Sequence, residues 1–301
     1  MITRRESLAA AAALAVLLVA GPAGAQEKLK VVASFSILAD FVNNVGGDRI
    51  AVEVLVGPGA DAHVYSPTPA DAKTLAAAQV IFVNGLGFEG WIERLVKASG
   101  TKAVQVVATK GIRQRKLEAK DDHGRGDADP HAWQSVSNAK IYVANIRDAL
   151  IKADPAGKSA YEANARAYSA KLDALEQEVR DAVAKIPAGR RKIITSHDAF
   201  GYFHAAYGIA FVAPQGVSTE SEPSAGDVAK IIVQIRREKI PAVFLENVTD
   251  SRMLKRIAEE SGAKIGGTLY SDALTDDKGP APTYLDMIRH NLKQLSAALT
   301  S

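Results

Sequence analysis

The side chains in this sequence best suited to bind a metal ion are its histidines. Imidazole nitrogen binds zinc and other first-row transition metals, commonly together with a carboxylate oxygen. The chain has six histidines and no cysteine, so its composition excludes a thiolate site. A single histidine is more often a hydrogen-bonded or exposed residue than a ligand. The position of each histidine in the predicted fold is therefore needed to identify the candidate ligands. The six are His63, His123, His131, His197, His204 and His290.

Two of these histidines stand where a ligand site would need them. His63 lies just beyond a predicted strand at 52–56, and His197 directly follows a predicted strand at 193–196. Ligands of open parallel sheets bind at the carboxyl ends of the strands. These two histidines are therefore the first candidates for metal ligands.

The other histidines have less distinctive surroundings. His131 ends the most polar stretch of the chain, residues 118–130, whose aspartates and glycines predict a surface loop. His123 lies inside that loop, and the loop is either simply solvated or a low-affinity collector of metal. His204 and His290 fall within predicted helices, and we interpret both as ordinary helix residues.

The spacing of the histidines matches no short zinc motif. The chain contains no His-Glu-x-x-His helix and no zinc-finger pattern. A catalytic zinc keeps an open position for water and needs a placed base, and no glutamate adjoins a candidate ligand in such a motif. The hypothesis is therefore a protein that is not an enzyme, and an exported zinc hydrolase is the alternative.

The elements that would position these residues alternate between strands and helices. Short apolar runs rich in Val and Ile predict the strands, and periodic stretches at 68–78, 90–97, 228–238 and 251–261 predict helices. This alternation predicts parallel sheets with helices on both faces. The strands form two sets, at 31–35, 52–56, 80–84 and 104–107, and then at 193–196, 210–213, 243–245 and 264–268.

One long helical segment separates the two strand sets. Asp154 and Pro155 are typical of a helix start, and residues 186–189 end it. The prediction is a rigid linking helix over 154–186, about 30 residues or ~45 Å long, between a first lobe at 26–153 and a second at 187–301. Its apolar stripe recurs at spacings of three and four: Tyr161, Ala165, Tyr168, Leu172, Leu175, Val179 and Val183.

The first 25 residues are typical of a secretory signal peptide. Arg4 and Arg5 precede an uncharged run of about 13 residues and a small-residue cleavage site before Gln26. This run is shorter than the ~20 residues needed to span a bilayer. Because no cysteine is present to carry a lipid, we expect a protein free in the periplasm, without a membrane anchor.

Charge gives no indication of a nucleic-acid partner. Loss of Arg4, Arg5 and Glu6 with the signal peptide removes a net +1, so the formal charge falls from +3 to +2. No dense Lys/Arg cluster alternates with aromatic residues, as a nucleic-acid surface would require.

The sequence resembles a known family, the cluster A-I metal-binding proteins of bacterial ABC importers, which take up zinc or manganese. The resemblance runs from about residue 29 to the C-terminus and rests on several blocks in a fixed order. The blocks are HVYSPTP at 63–69, VNG and FEGW at 83–85 and 88–91, DPHAW at 129–133, SHDAFGYF at 196–203, SEPS at 221–224 and LYSDAL at 269–274.

The resemblance implies two α/β lobes joined by a rigid helix, with one metal ion in the cleft between them. It implies that His63 and His131 bind the ion from the first lobe, and that His197 and Asp272 bind it from the second. Asp272 enters only through the resemblance, since by itself it is one of many acids. The imidazoles need acceptors for their other nitrogens, and Asp129 and Asp198 are the nearest candidates in the sequence.

In this family, a histidine at the third ligand position is typical of zinc importers, and a glutamate there is typical of manganese importers. His197 therefore favours zinc, and three imidazoles with one carboxylate suit tetrahedral zinc. Manganese prefers more oxygen ligands, whereas copper would bind nitrogen ligands at least as strongly as zinc. A manganese- or copper-binding importer component is the alternative.

The implied function is capture of zinc in the periplasm and delivery to an ABC importer. The implied partners are the importer permease and its ATPase, and we expect a monomer. The metal would arrive either as the free ion or from a periplasmic metallochaperone. A cell-adhesion role, known for some relatives, is a third class that the missing lipid anchor disfavours.

Overall fold

The computed structural model of the protein consists of two α/β lobes joined by one long helix. It describes residues 27–116 and 128–300. The predicted signal peptide lies outside the described residues, and so do His123 and most of the acidic loop. In the described part of the chain, no helix is both long and apolar enough to cross a membrane.

The first lobe is built on a four-stranded parallel sheet with the order β2-β1-β3-β4. Val31 in the central strand pairs with Val52 on one side and Val80 on the other. The elements, in chain order, are β1 (Leu29–Phe35), α1 (Ser36–Gly46), β2 (Ile50–Val56), α2 (Pro69–Ala77), β3 (Val80–Val83), α3 (Ile92–Ser99), β4 (Val104–Val107) and α4 (Val136–Ala153).

The second lobe repeats this arrangement, with a parallel sheet in the order β6-β5-β7-β8. All eight strands predicted from the sequence are present, with small shifts at their ends. The elements are β5 (Lys192–Ile194), α6 (Gly201–Tyr207), β6 (Ala210–Val212), α7 (Ala225–Glu238), β7 (Ala242–Glu246), α8 (Ser251–Ser261), β8 (Lys264–Leu269) and α9 (Tyr284–Thr300).

The linking helix α5 spans Lys158–Ala184, after a 3-10 turn over Pro155–Gly157. Asp154 therefore stands at the N-cap position and Pro155 at the first helical position, as predicted, but the first turn is 3-10 and the α-helix proper begins at Lys158. The Asp154 carboxylate accepts hydrogen bonds of 2.7 Å from both Arg49 Nη2 and Tyr161 OH, which ties the start of α5 to the first lobe. All seven predicted stripe residues are buried.

The hydrophobic core is shared between the lobes rather than divided at the cleft. One cluster of buried side chains runs from β1 through α4 and α5 to α6, β8 and α9. A second, smaller cluster lies between the outer face of the second sheet and helices α7 and α8. Because the main core is continuous across α5, the two lobes are held in a fixed relation by apolar packing.

Candidate metal centre

Four side chains from four different segments converge in the cleft between the lobes. His63, His131, His197 and Asp272 each direct one potential ligand atom to a common point, and these atoms all lie within 4.8 Å of one another. Nε2 of His63 lies 3.2 Å from Nε2 of His131. Nε2 of His197 lies 3.0 Å from Oδ2 of Asp272. The structure therefore brings all four predicted residues together.

The cluster is sealed from solvent. The side chains of His131, His197 and Asp272 have no exposed surface, and that of His63 is 4% exposed. Five buried atoms of the site make no hydrogen bond of good geometry: Nδ1 and Nε2 of His197, Oε2 of Glu246 and both oxygens of Asp272. Nδ1 of His197 and Oε2 of Glu246 lie 2.8 Å from each other. Buried polar atoms are usually satisfied, so the other three indicate a binding partner such as a metal ion.

The His63 segment connects β2 to α2 and is fixed at several points. The α2 start carries a capping box between Thr68 and Asp71, and Pro69 fits the first helical position. The backbone N–H of His63 donates to Asp61 Oδ1 at 2.9 Å. Trp91 Nε1 donates to the carbonyl of Ala62 at 2.8 Å. These bonds aim the imidazole into the cleft.

His131 is oriented by the residue two positions before it. Its Nδ1 lies 2.9 Å from Asp129 Oδ1, and its backbone N–H donates to the same oxygen at 3.0 Å. Asp129 is fully buried and pairs with Arg115 through Nη1 and Oδ2 at 3.0 Å. With Nδ1 engaged by the carboxylate, Nε2 is left free to face the other ligands.

His197 is oriented by a glutamate rather than by the sequence neighbour Asp198. Its Nδ1 lies 2.8 Å from Oε2 of Glu246, the last residue of β7. Oε1 of Glu246 accepts hydrogen bonds from the backbone N–H groups of Ser196 at 2.6 Å and His197 at 3.0 Å. Glu246 therefore fixes both the backbone and the ring of His197. Asp129 thus fills the expected acceptor role for His131, whereas Glu246 and not Asp198 fills it for His197.

Asp272 follows β8, and the first lobe holds the residue before it. The carbonyl of Ser271 accepts hydrogen bonds from Trp133 Nε1 at 2.9 Å and from Gln134 Nε2 at 2.8 Å. On the other side, Asn247 Nδ2 donates to the carbonyl of Ala273 at 3.2 Å. The Asp272 carboxylate is thereby placed by both lobes.

An aromatic cluster forms one wall of the site. The rings of Phe35, Phe88 and Trp133 contact one another with centroids 4.9 to 5.0 Å apart. The ring of His63 packs edge-on against Phe88 at 4.7 Å. This apolar wall excludes water, which strengthens electrostatic interactions inside the cluster.

The pKa directions of these groups describe a compact charge network. Burial alone would raise the pKa of Asp272, but the charges of His197 and His131 hold it well below its ordinary value. Burial opposes the protonated form of His197, yet Glu246 and Asp272 raise its pKa well above 6.5. Burial lowers the pKa of His63 despite the opposing effect of Asp272. Without metal, the shifts of both His197 and Asp272 thus favour their charged forms.

The two remaining histidines among the described residues lie in helices apart from the cluster, in agreement with their interpretation as ordinary helix residues. His204 in α6 contacts the carbonyl of Ile209 at 3.0 Å, and His290 in α9 contacts the carbonyl of Thr268 at 3.0 Å. Sequence reasoning missed Glu246 and Arg115, because the chain separates each from its partner by many residues. The only local signal for Glu246 is a carboxylate at the end of an otherwise apolar strand.

The chemistry that this arrangement can supply is the binding of a metal ion. Three imidazole nitrogens and one carboxylate oxygen could fill the four positions of a tetrahedral divalent ion.

Comparison with known proteins identifies relatives over nearly the whole chain. The family model described as zinc-uptake complex component A, periplasmic, matches residues 31–298. The iron-binding protein YfeA of Yersinia pestis is 39% identical over 267 residues, covering 89% of this chain and 85% of the relative. The manganese-binding lipoprotein MntA of Halalkalibacterium halodurans is 37% identical over 275 residues, covering 91% and 89%.

A solved structure has the same fold. The periplasmic zinc-binding protein TroA of Treponema pallidum superposes with a TM-score of 0.86 at 32% identity, covering 91% of this chain and 100% of that one. The names of these three similar proteins refer to iron, manganese and zinc, so they agree on metal binding and differ on the metal.

Proposed function

The chain belongs to the family of periplasmic zinc-uptake components A, and we propose that it captures one zinc ion at His63, His131, His197 and Asp272. Members of this family are metal-binding, substrate-binding components of ABC importers and not enzymes. The metal is thus the cargo of the protein and not a resident cofactor.

The observation that carries the proposal is the convergence of four donor atoms, all within 4.8 Å of one another, in a buried cleft. Without metal, only neighbouring imidazoles offset the charge of the Asp272 carboxylate, which lies out of water with no hydrogen bond of good geometry. A divalent ion would offset this charge and satisfy the free imidazole nitrogens together.

The donor set supports zinc over the alternatives. Tetrahedral zinc accepts three nitrogens and one oxygen at about 2.0–2.2 Å. Manganese prefers oxygen ligands in larger number. The similar proteins named for iron and manganese make these ions the second candidates. Copper would compete by intrinsic affinity, so selection against copper would depend on its supply.

Delivery follows from membership of the family. We infer an importer permease and its ATPase as partners, with the loaded protein as the form that docks. We infer export by the segment at 1–25 and propose a monomer in the periplasm. The absence of cysteine argues against a lipid anchor. We likewise propose the division into a first lobe at 26–153, a linking helix at 154–186 and a second lobe at 187–301.

The test is the metal affinity of purified, metal-free protein, measured by competition with a chromophoric chelator. Zinc should bind with one ion per chain and more tightly than manganese or iron(II). His131→Ala should weaken zinc binding strongly, while His290→Ala, outside the cluster, should leave it unchanged. Bound zinc should also raise the thermal midpoint, as any ligand of the native state does.

Two results would contradict the proposal. Full zinc affinity in a variant with alanine at positions 63, 131 and 197 would rule out this ligand set. Tighter binding of manganese or iron(II) than of zinc would move the chain to the second candidate. Neither result would alter the assignment to the family.

A further inference from the structure

Arg115 lies behind His131 and contacts Asp129, although it is not one of the four proposed ligands. Its Nη1 contacts Asp129 Oδ2 at 3.0 Å, and Asp129 Oδ1 lies 2.9 Å from His131 Nδ1. A guanidinium, a carboxylate and an imidazole thus form a line that ends at the proposed metal position. Within residues 27–116 and 128–300, no other lysine or arginine pairs with a carboxylate of the site.

Backbone hydrogen bonds help to fix Asp129. The N–H of Asp129 donates to the carbonyl of Arg115 at 2.8 Å, and Asp129 Oδ1 accepts from the backbone N–H of His131 at 3.0 Å. The Arg115 guanidinium adds a hydrogen bond to Oδ2 and a positive charge, and its side chain is 33% exposed.

The second lobe is shaped to admit this pair. A Cβ atom on Gly201, the first residue of α6, would lie 2.2 Å from Arg115 Nη1 and 2.5 Å from Asp129 Oδ2. Tyr202, the next residue, accepts a hydrogen bond of 3.0 Å from the backbone N–H of Arg115 through its hydroxyl oxygen. Arg115 and Asp129 therefore pack against a glycine of the opposite lobe, directly at the seam.

The two carboxylates that contact imidazole rings of the site, Asp129 and Glu246, differ in how their negative charge is offset. Asp129 is paired with a cation, whereas Glu246 accepts from two backbone N–H groups. Asp272, Asp129 and Glu246 are three carboxylates of the site, and Arg115 offsets the charge of one of them. A divalent cation would offset much of the negative charge that remains. Asp198 also faces this group, and burial followed by the charge of Asp129 raises its pKa while Arg115 opposes the rise.

We propose that Arg115 sets the affinity of the site by offsetting the Asp129 charge behind His131, which keeps binding of a divalent ion reversible. The inference rests on the proposed function, because it assigns a role to Arg115 toward the same ion. Without the guanidinium, the Asp129 charge acts fully on the imidazole, makes it a stronger ligand and leaves one buried negative charge in excess. Binding would then be tighter and release slower.

The experiment compares zinc affinity and zinc dissociation rate among purified variants. Arg115→Gln should bind zinc about tenfold more tightly, the lower end of the effect of groups that orient metal ligands, and should release it more slowly. Arg115→Lys keeps the charge and should stay near wild type. Arg113→Gln changes an exposed neighbour and should have no effect. Arg115→Met removes the same charge if the glutamine variant does not fold.

A double-variant cycle tests the path through Asp129. Asp129→Asn should weaken zinc binding, and adding Arg115→Gln to it should produce no further change. The visible spectrum of bound cobalt(II) should be the same in Arg115→Gln and wild type, because the four ligands are unchanged. A purely structural role would instead weaken binding in Arg115→Gln.

Unchanged or weaker zinc binding in both Arg115→Gln and Arg115→Met would overturn the inference. Tighter binding that persists in the Asp129→Asn background would also overturn it, since the effect would not pass through Asp129. A wild-type protein that binds no metal would instead overturn the proposed function, so the two failures are distinguishable.

Discussion

The indole N–H of Trp133 donates a hydrogen bond of 2.9 Å to the carbonyl of Ser271, across the cleft between the lobes. Trp133 lies two residues after His131, and Ser271 directly precedes Asp272. One hydrogen bond therefore links a ligand segment of the first lobe to a ligand segment of the second. The relative position of the two lobes therefore helps to set the geometry of the site.

Trp133→Phe should loosen this link while keeping an aromatic ring in the wall of the site. Loss of the donor leaves Gln134 alone at the Ser271 carbonyl, and a hydrogen bond of this kind is worth about 0.5–1.5 kcal/mol. We expect zinc to dissociate several-fold faster, measured by stopped-flow transfer to a chelator. Dissociation at the wild-type rate would show that Gln134 suffices to hold Asp272.

Glu246→Gln should weaken zinc binding about 10–100-fold, the range for groups that orient metal ligands. A glutamine can present an N–H to His197 Nδ1, which would move the ring proton to Nε2, the nitrogen that faces the metal. The measurement is the zinc affinity of the metal-free protein. Glu259→Gln, an exposed change in α8, is the matched control, and equal affinities in the two variants would refute the role of Glu246.

Thr219→Val should speed metal exchange with little effect on the fold. Thr219 Oγ1 donates to Asp61 Oδ2 at 2.6 Å, and Asp61 Oδ1 accepts from the His63 N–H at 2.9 Å. This hydroxyl thus connects a loop of the second lobe to the His63 segment at the edge of the site. Valine has the same shape but cannot donate. Thr74→Val in α2 serves as the control, and identical exchange rates in both variants would argue against this connection.

The stabilisation of the protein by zinc should shrink as the pH falls. The pKa of His197 is raised well above 6.5 by Glu246 and Asp272 against the effect of burial. Its proton therefore stabilises the metal-free fold fully below pH ~6.5, and this contribution is lost as the pH rises through the raised pKa. Zinc must displace the same proton.

The check is the zinc-induced rise in thermal midpoint, measured from pH 5 to 8 with an excess of zinc at each pH. A shift that grows with pH is expected, and a shift that is constant across this range would contradict the proton assignment to His197. The His197→Ala variant should show little zinc-induced shift at any pH.

Much of the fold could be predicted because its signals are local. Most strands are short runs dominated by apolar residues, and the α5 stripe recurs at helical spacing, so each is visible within one segment of chain. Helix α4 is absent from the helices predicted from the sequence, although its buried residues Ala139, Tyr142, Val143, Ile146 and Leu150 recur at spacings of three and four. The small side chain of Ala139 makes that stripe less conspicuous.

The site could be predicted only in part because its geometry is not local. His63 and His197 stand at strand ends, so the fold class alone selects them. His131 follows an irregular loop, and Asp272, although it lies just beyond β8, is one of many acids in the chain. Only the resemblance to a family joined these two residues to the others. Glu246 lies 49 residues after His197, and no pattern in the sequence connects a carboxylate to a ring at that separation.

The most direct test of the four-ligand site is a crystal structure of the zinc-loaded protein with anomalous diffraction data at the zinc edge. The account predicts one strong peak in the cleft, within about 2.0–2.2 Å of Nε2 of His63, His131 and His197 and of an oxygen of Asp272. A peak elsewhere on the protein, or one in the cleft that lacks any of these four ligands, would contradict it.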